Sequence, residues 1–144
     1  MATTREIVAA LGGAKTMGSE VPDAEALHER IRQGLPYASL EHMAAILNVS
    51  LEEVGEALSL PRRTRARRKG AARLEPIESD RLVRLARIAA AAESTLGSRR
   101  KAADWMVRPN RALGGEVPLH ILDTEVGERL VEDVLGRIEH GVVS

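Results

Sequence analysis

The chain reads as a mainly α protein, with a helix-turn-helix helical domain followed by a second, small helical domain. Three observations predict this. Phe is absent and there is one Trp and one Tyr, so a core must be built from Leu, Ile, Val and Ala. That set favours helices, because sheets lean on aromatic and β-branched side chains. Apolar residues recur at three- and four-residue spacing through most of the chain. A short acidic helix, a tight break and a strongly basic helix follow one another between residues 51 and 69. With 144 residues, 44% of them apolar, the chain can bury a core in one or two small domains.

The elements follow in order. Ala24, Leu27, His28 and Ile31 fall at helical spacing in DAEALHERIRQG, and Gly34 stops the run. LPYA connects to SLEHMAAILN, with Ser39 as N-cap, Leu40, Met43, Ala44 and Leu47 on one face, and Asn48 at the C-terminal turn. Ser50 opens SLEEVGEAL as a capping box with Glu53 three residues on. Ser59 and Leu60 make the break, and Pro61 fits the first turn of the next helix, where its missing N–H costs nothing. Gly70 ends that helix. Pro76 starts IESDRLVRLARIAAAAESTL, whose stripe is Leu82, Leu85, Ala86, Ala89 and Leu96 and whose end is Gly97. Ser98 opens RRKAADWMV, which Pro109 terminates. PNRALGGEVP is a loop, rich in Gly, Pro and Asn. Thr124 caps a final helix bearing Val126, Leu130, Val131, Val134, Leu135 and Ile138, closed by Gly141. The natural division is 1–97 and 98–144.

Charge is segregated along the chain. Lys+Arg and Asp+Glu number 21 each, yet residues 1–60 carry net −5, 61–101 net +9 and 102–144 net −4. The centre of the basic part is PRRTRARRK, residues 61–69, in which six of nine side chains are cationic. Two helix-turn-helix registers fit: 40–47 supporting 51–58, or 51–58 supporting 61–69. Charge decides between them. Helix 51–58 has Glu52, Glu53 and Glu56 and no basic residue, so phosphate would repel it; helix 61–69 is the one to read DNA. Arg62, Arg63 and Thr64 near its N-terminus suit base edges, and Arg67, Arg68, Lys69 and Arg73 suit phosphates. RNA fits poorly, since only Tyr37 and Trp105 could stack on bases. One such helix covers one half-site, which predicts a homodimer or a larger assembly.

Several chemistries are excluded or unsupported. Without cysteine there is no disulfide, thiolate metal site or thiol nucleophile. His28, His42, His120 and His140 are scattered and form no metal-ligand spacing, so no metal and no cofactor is expected. Gly12-Gly13-Ala14-Lys15-Thr16 ends like a phosphate-binding loop but lacks its first glycine and preceding strand. No nucleophile elbow or catalytic residue is evident, and no enzyme activity is expected. No apolar run approaches the roughly 20 residues of a membrane helix, and MATTREIVAALGG lacks the basic start of a secretory signal, so the expected location is cytoplasmic.

Beyond residue 101 the pattern becomes more specific. Ala102, Trp105, Pro109, Asn110, Leu113, Gly114, Gly115, Pro118, Leu122, Thr124, Gly127, Gly141 and Val142 occur in an order that resembles the C-terminal domain of bacterial Xre/ParS/MbcA-type antitoxins. GLP at 34–36, RRTRARRK at 62–69 and ESDRLVRLARI at 78–88 extend the resemblance upstream. It implies an Xre-like DNA-binding domain joined to a toxin-binding domain. It also implies a RES-domain toxin as partner, an enzyme that consumes NAD or transfers ADP-ribose from it. The antitoxin's C-terminal region would cover that toxin's active site, and the complex would repress its own operon by binding operator double-stranded DNA.

The DNA-binding set is then Arg62, Arg63, Thr64, Arg65, Arg67, Arg68 and Lys69. The toxin-binding set is Trp105, Asn110, Leu113, Gly114, Gly115, Pro118, Leu119, Val142, Val143 and Ser144. An acidic domain suits the cationic entrance of a pyrophosphate-binding pocket. One departure stands out: the family's usual Arg-Thr-Leu is Arg63-Thr64-Arg65 here, so charge stands where an apolar side chain packs inward, and Arg65 must snorkel outward or the helix must rotate. The competing readings are a stand-alone helix-turn-helix regulator whose C-terminal domain only dimerises, and an interaction module with no DNA role.

Overall fold

The chain forms nine α-helices among the described residues, 2–141 of a computed structural model. They are α1 (Thr4–Ala10), α2 (Gly13–Met17), α3 (Ala24–Gln33), α4 (Tyr37–Leu47), α5 (Leu51–Ala57), α6 (Arg62–Ala71), α7 (Pro76–Leu96), α8 (Arg99–Met106) and α9 (Glu125–Glu139). Two 3-10 turns, Arg111–Leu113 and Pro118–Ile121, lie between α8 and α9. Thr3, Asp23, Ser50, Ser98 and Thr124 each accept a backbone N–H with the side chain at a helix start. The one β-type pairing among these residues is an isolated bridge between Pro36 and Arg73.

Helix α7 is the axle. Leu82, Val83, Leu85, Ala86, Ile88, Ala89, Ala90 and Ala92 are all buried, so the helix is enclosed on several sides. α1, α3, α8 and α9 pack on it. The alanine run explains how: side chains of one carbon let neighbouring helices approach closely while keeping helix propensity high. One hydrophobic cluster runs from Ile7 through Leu40, Val54 and Leu85 to Leu135.

The structure departs from the expected boundaries at several points. α4 begins at Tyr37, not after Ser39, because Pro36 already holds φ −58° and the Tyr37 N–H donates to the Ala72 carbonyl at 3.0 Å. Ser39 is fully buried, with its hydroxyl 3.5 Å from the Met17 sulfur. Ser50 accepts the Glu53 N–H at 3.0 Å, but only this half of the expected capping box is present. α6 runs past Gly70 to Ala71, and Ala72 turns the chain with φ +61°. α8 stops at Met106, three residues before Pro109.

An ion-pair link crosses between α7 and α9. Glu128 is buried; its Oε2 lies 3.2 Å from Arg87 Nη1 and 3.7 Å from Arg84 Nε. Burial pushes this carboxyl above the usual glutamate range; Arg87 and Arg84 oppose the rise and Glu132 adds to it. An acid whose folded pKa is raised favours the folded state when protonated, so this contribution is present at low pH and is lost as pH rises through the raised value. Glu128→Gln is therefore expected to be at least as stable as the parent in thermal unfolding at pH 7. The difference should close below about pH 4, where the unfolded carboxyl is also protonated. A marked loss of stability at pH 7 would show that the ion pairs outweigh the burial.

Candidate nucleic-acid interface and C-terminal surface

The turn between α5 and α6 is built on Gly55. The Leu60 N–H donates to the Gly55 carbonyl at 2.7 Å, Ser59 takes φ +56°, and Leu58 and Leu60 are buried on either side. Basic helix α6 has no buried residue of its own. It is held at its ends by Leu60 and Leu74, each 2% exposed, and by the Leu74 N–H donating to the Leu35 carbonyl at 2.8 Å. A helix held this way presents most of its circumference to solvent.

The cations of α6 are not equivalent. Arg62, Arg63, Arg67 and Lys69 are exposed, and Arg73 beyond the helix is exposed while donating to the Gln33 carbonyl at 3.1 Å. Arg68 instead grips Glu78 of α7 with both ends of its fork: Nε to Oε1 at 2.7 Å and Nη2 to Oε2 at 3.0 Å. Glu78 is buried and also accepts the Glu75 N–H at 2.8 Å. Burial pushes the Glu78 carboxyl up, but the Arg68 and Glu75 hydrogen bonds and the Arg68 charge outweigh it and hold the group below its usual range. Arg65 is half-buried and lies across α5, its Nη1 3.4 Å from the Leu51 carbonyl. Thr64 is half-buried as well. Of the seven residues expected at DNA, then, Thr64, Arg65 and Arg68 turn toward the protein and four turn outward.

The C-terminal surface is organised by Asn110. Its Oδ1 accepts the Ala112 N–H at 2.9 Å, its own N–H donates to the Glu116 carbonyl at 3.0 Å, and its carbonyl accepts the N–H groups of Leu113 and Gly115. Gly114 and Gly115 both take positive φ, +66° and +88°, which suits glycine in so tight a loop. Gly127 is required for another reason: a Cβ there would lie 1.6 Å from the Ile121 carbonyl oxygen, so α9 can abut the second 3-10 turn only without a side chain. Trp105 and Leu113 are half-buried against the core. Leu119 is 0% exposed and Pro118 is buried, so these two brace the domain from inside instead of facing a partner. Val142, Val143 and Ser144 lie outside the described residues.

The structure adds two residues of the apolar stripe of α9 to this surface. Val126 is 67% and Leu130 51% exposed, and with Ala112, Leu113 and Ile121 they line an apolar groove between the loop and α9. The signal was present: Val126 and Leu135 are nine residues apart, which at about 100° per residue places them on opposite sides of a helix. Both cannot pack on α7. No cluster of potential metal ligands occurs among the described residues, and none of their helices is long and apolar enough to cross a membrane.

Comparison with known proteins meets this geometry at both ends. Residues 26–87 match the antitoxin Xre-like helix-turn-helix domain, and residues 91–141 match the antitoxin Xre/MbcA/ParS C-terminal toxin-binding domain. Antitoxin Xre of Yersinia enterocolitica is 33% identical over 120 residues, 82% of this chain and 81% of that protein. The chain belongs to the Xre antitoxin family. It is an antitoxin of a toxin–antitoxin system, with a helix-turn-helix domain and a toxin-binding domain.

Antitoxin Xre of Photorhabdus laumondii is 32% identical over 132 residues, 90% of this chain and 89% of that one. A Prs ADP-ribosylating antitoxin of Sphingobium sp. is 28% identical over 123 residues, 77% of this chain and 76% of that one. A chain of the M. tuberculosis MbcT–MbcA toxin–antitoxin complex superimposes with a TM-score of 0.55 at 25% identity, covering 75% of the antitoxin and 96% of that chain.

The Glu78 anchor generates a pH prediction. A carboxyl with a lowered folded pKa contributes stability above its unfolded value of about 4.3 and loses it as pH falls through the lowered value. In the parent antitoxin, amides of α6 should lose hydrogen-exchange protection on acidification below about pH 4. Glu78→Gln should lack this acid-dependent step. An unchanged acid response in the variant would remove Glu78 as the anchor.

Proposed function

We propose that this antitoxin neutralises a RES-domain toxin that consumes NAD or transfers ADP-ribose, by covering its active site, and that it represses its own operon through α6. The observation that carries the toxin half is the exposed apolar pair Val126 and Leu130, beside Leu113, inside residues 91–141. Exposed apolar side chains grouped in a groove mark an interaction surface more than scattered ones do. The chemistry of ADP-ribose transfer is supported by the name of the Sphingobium relative, and a toxin partner by the MbcT–MbcA complex. The RES identity rests on the family resemblance. The DNA half is supported by four outward cations on a helix that follows an acidic supporting helix. A homodimer within the larger complex would present two such helices to two half-sites. The division at 97/98 separates the two functions, with α7 serving both.

Three outcomes test this reading. Co-expression with the toxin encoded beside it should preserve cellular NAD and should yield a co-purifying complex; NAD loss despite stable antitoxin would refute neutralisation. Leu130→Asp should weaken that complex by about ten-fold or more, the order expected for one central apolar contact. If the same variant instead converts a homodimer to monomer and leaves the complex intact, the groove is a dimer contact and the regulator reading gains. Arg63→Ala should lower affinity for DNA upstream of the operon. In the parent, log K should fall with log salt at about 0.9 per phosphate neutralised.

A further inference from the structure

Arg65 and Arg68 stand three residues apart on one face of α6, and both are turned toward the protein. Arg68 is tied to Glu78. What makes room for Arg65 is the absence of a side chain at position 55. A Cβ on Gly55 would lie 2.7 Å from both Cδ and Nη1 of Arg65, closer than real contacts allow. Arg65 therefore neither snorkels outward nor forces α6 to lift from α5. It lies over Gly55, in the place where the family pattern has an apolar side chain.

We infer that Arg65, seated on Gly55, is a positioning residue that sets the roll of α6, and that the roll makes Arg63 the central base-reading side chain, with Arg65 making no DNA contact. The inference rests on the DNA-binding reading above. At about 100° per residue, the line opposite the Arg65–Arg68 face runs through Arg63 and Gly70. Ala66 and Arg67 flank that line, and Arg62 and Lys69 lie further round on the Ala66 side. All six of these residues are exposed. The small Ala66 and Gly70 let the helix approach a groove floor, Arg63 can present its fork to guanine, and Arg62, Arg67 and Lys69 are placed for phosphates. Thr64 sits on the protein side and drops out of the base-reading set.

The two roles predict different salt behaviour, which separates positioning from contact. With the DNA fragment upstream of the operon, Arg65→Leu should bind within about two-fold of the parent and keep its salt slope, although it removes a cation. Arg67→Ala should reduce the slope by about one. Arg63→Ala should lower the ratio of specific to non-specific binding at least five-fold. Gly55→Ala should displace the flexible end of Arg65, crowd the Leu60 carbonyl 3.0 Å from the new Cβ, and weaken DNA binding. Arg65→Ala should weaken binding in the parent and have no further effect in the Gly55→Ala background.

A slope lowered by about one in Arg65→Leu would make Arg65 a phosphate contact and overturn the inference. Additive losses in the Gly55/Arg65 cycle would also overturn it, since the seat would then not couple the two. If the parent does not bind the fragment at all, the DNA reading itself fails. The seat is then judged by the same cycle in thermal unfolding, where non-additive Tm shifts support it and additive ones reject it.

Discussion

Burial of α7 around most of its circumference is the constraint on which the other elements depend. A 21-residue helix can be enclosed this way only if its contact positions are small enough for several helices to reach it. Ala86, Ala89, Ala90 and Ala92 meet that requirement, with Leu82, Leu85 and Ile88 filling the gaps between them. Because α7 is rigid and long, polar groups placed along it become fixed points for both functional ends. Glu78 near its start receives Arg68 from α6, and Arg84 and Arg87 further on receive Glu128 from α9.

The two ion pairs act in different ways. Arg68–Glu78 is bidentate, and a third hydrogen bond reaches the carboxylate from the Glu75 backbone, so the charged state is favoured. Glu128 has longer, single-point contacts and stays costly to ionise. Buried ion pairs of this kind are better understood as fixing register than as adding net stability. Here the better pair sits where orientation matters more, at the anchor of a helix that buries none of its own residues.

Much of the architecture was legible from residue patterns. The acidic α5, the break at Ser59 and the basic α6 appear at the expected positions, as do the caps Ser50, Ser98 and Thr124 and the ends at Asn48 and Gly97. These signals are local: a hydroxyl bonding an N–H three residues on, or a backbone turning left-handed, needs no distant partner. The misses share the opposite cause. Ser39 reads as a cap, but Pro36 and a hydrogen bond from Tyr37 to Ala72 start α4 earlier. Leu119 reads as a partner contact and is enclosed, while Val126 and Leu130 share one apolar stripe with Val131 and Leu135 yet are exposed.

The sequence by itself determined the helical class, the order of the helices from α3 onward and the charge contrast between its centre and its ends, while α1 and α2 went unread. Each of these follows from spacing and charge along the chain. Only the tertiary structure decided which cations of α6 face outward, because that depends on Glu78 and Gly55, ten residues away on either side and in different helices. It likewise decided which half of the wide apolar stripe of α9 meets α7 and which is left open beside Leu113. Periodicity states that a face is apolar; only packing assigns that face to the protein's own core or to another molecule.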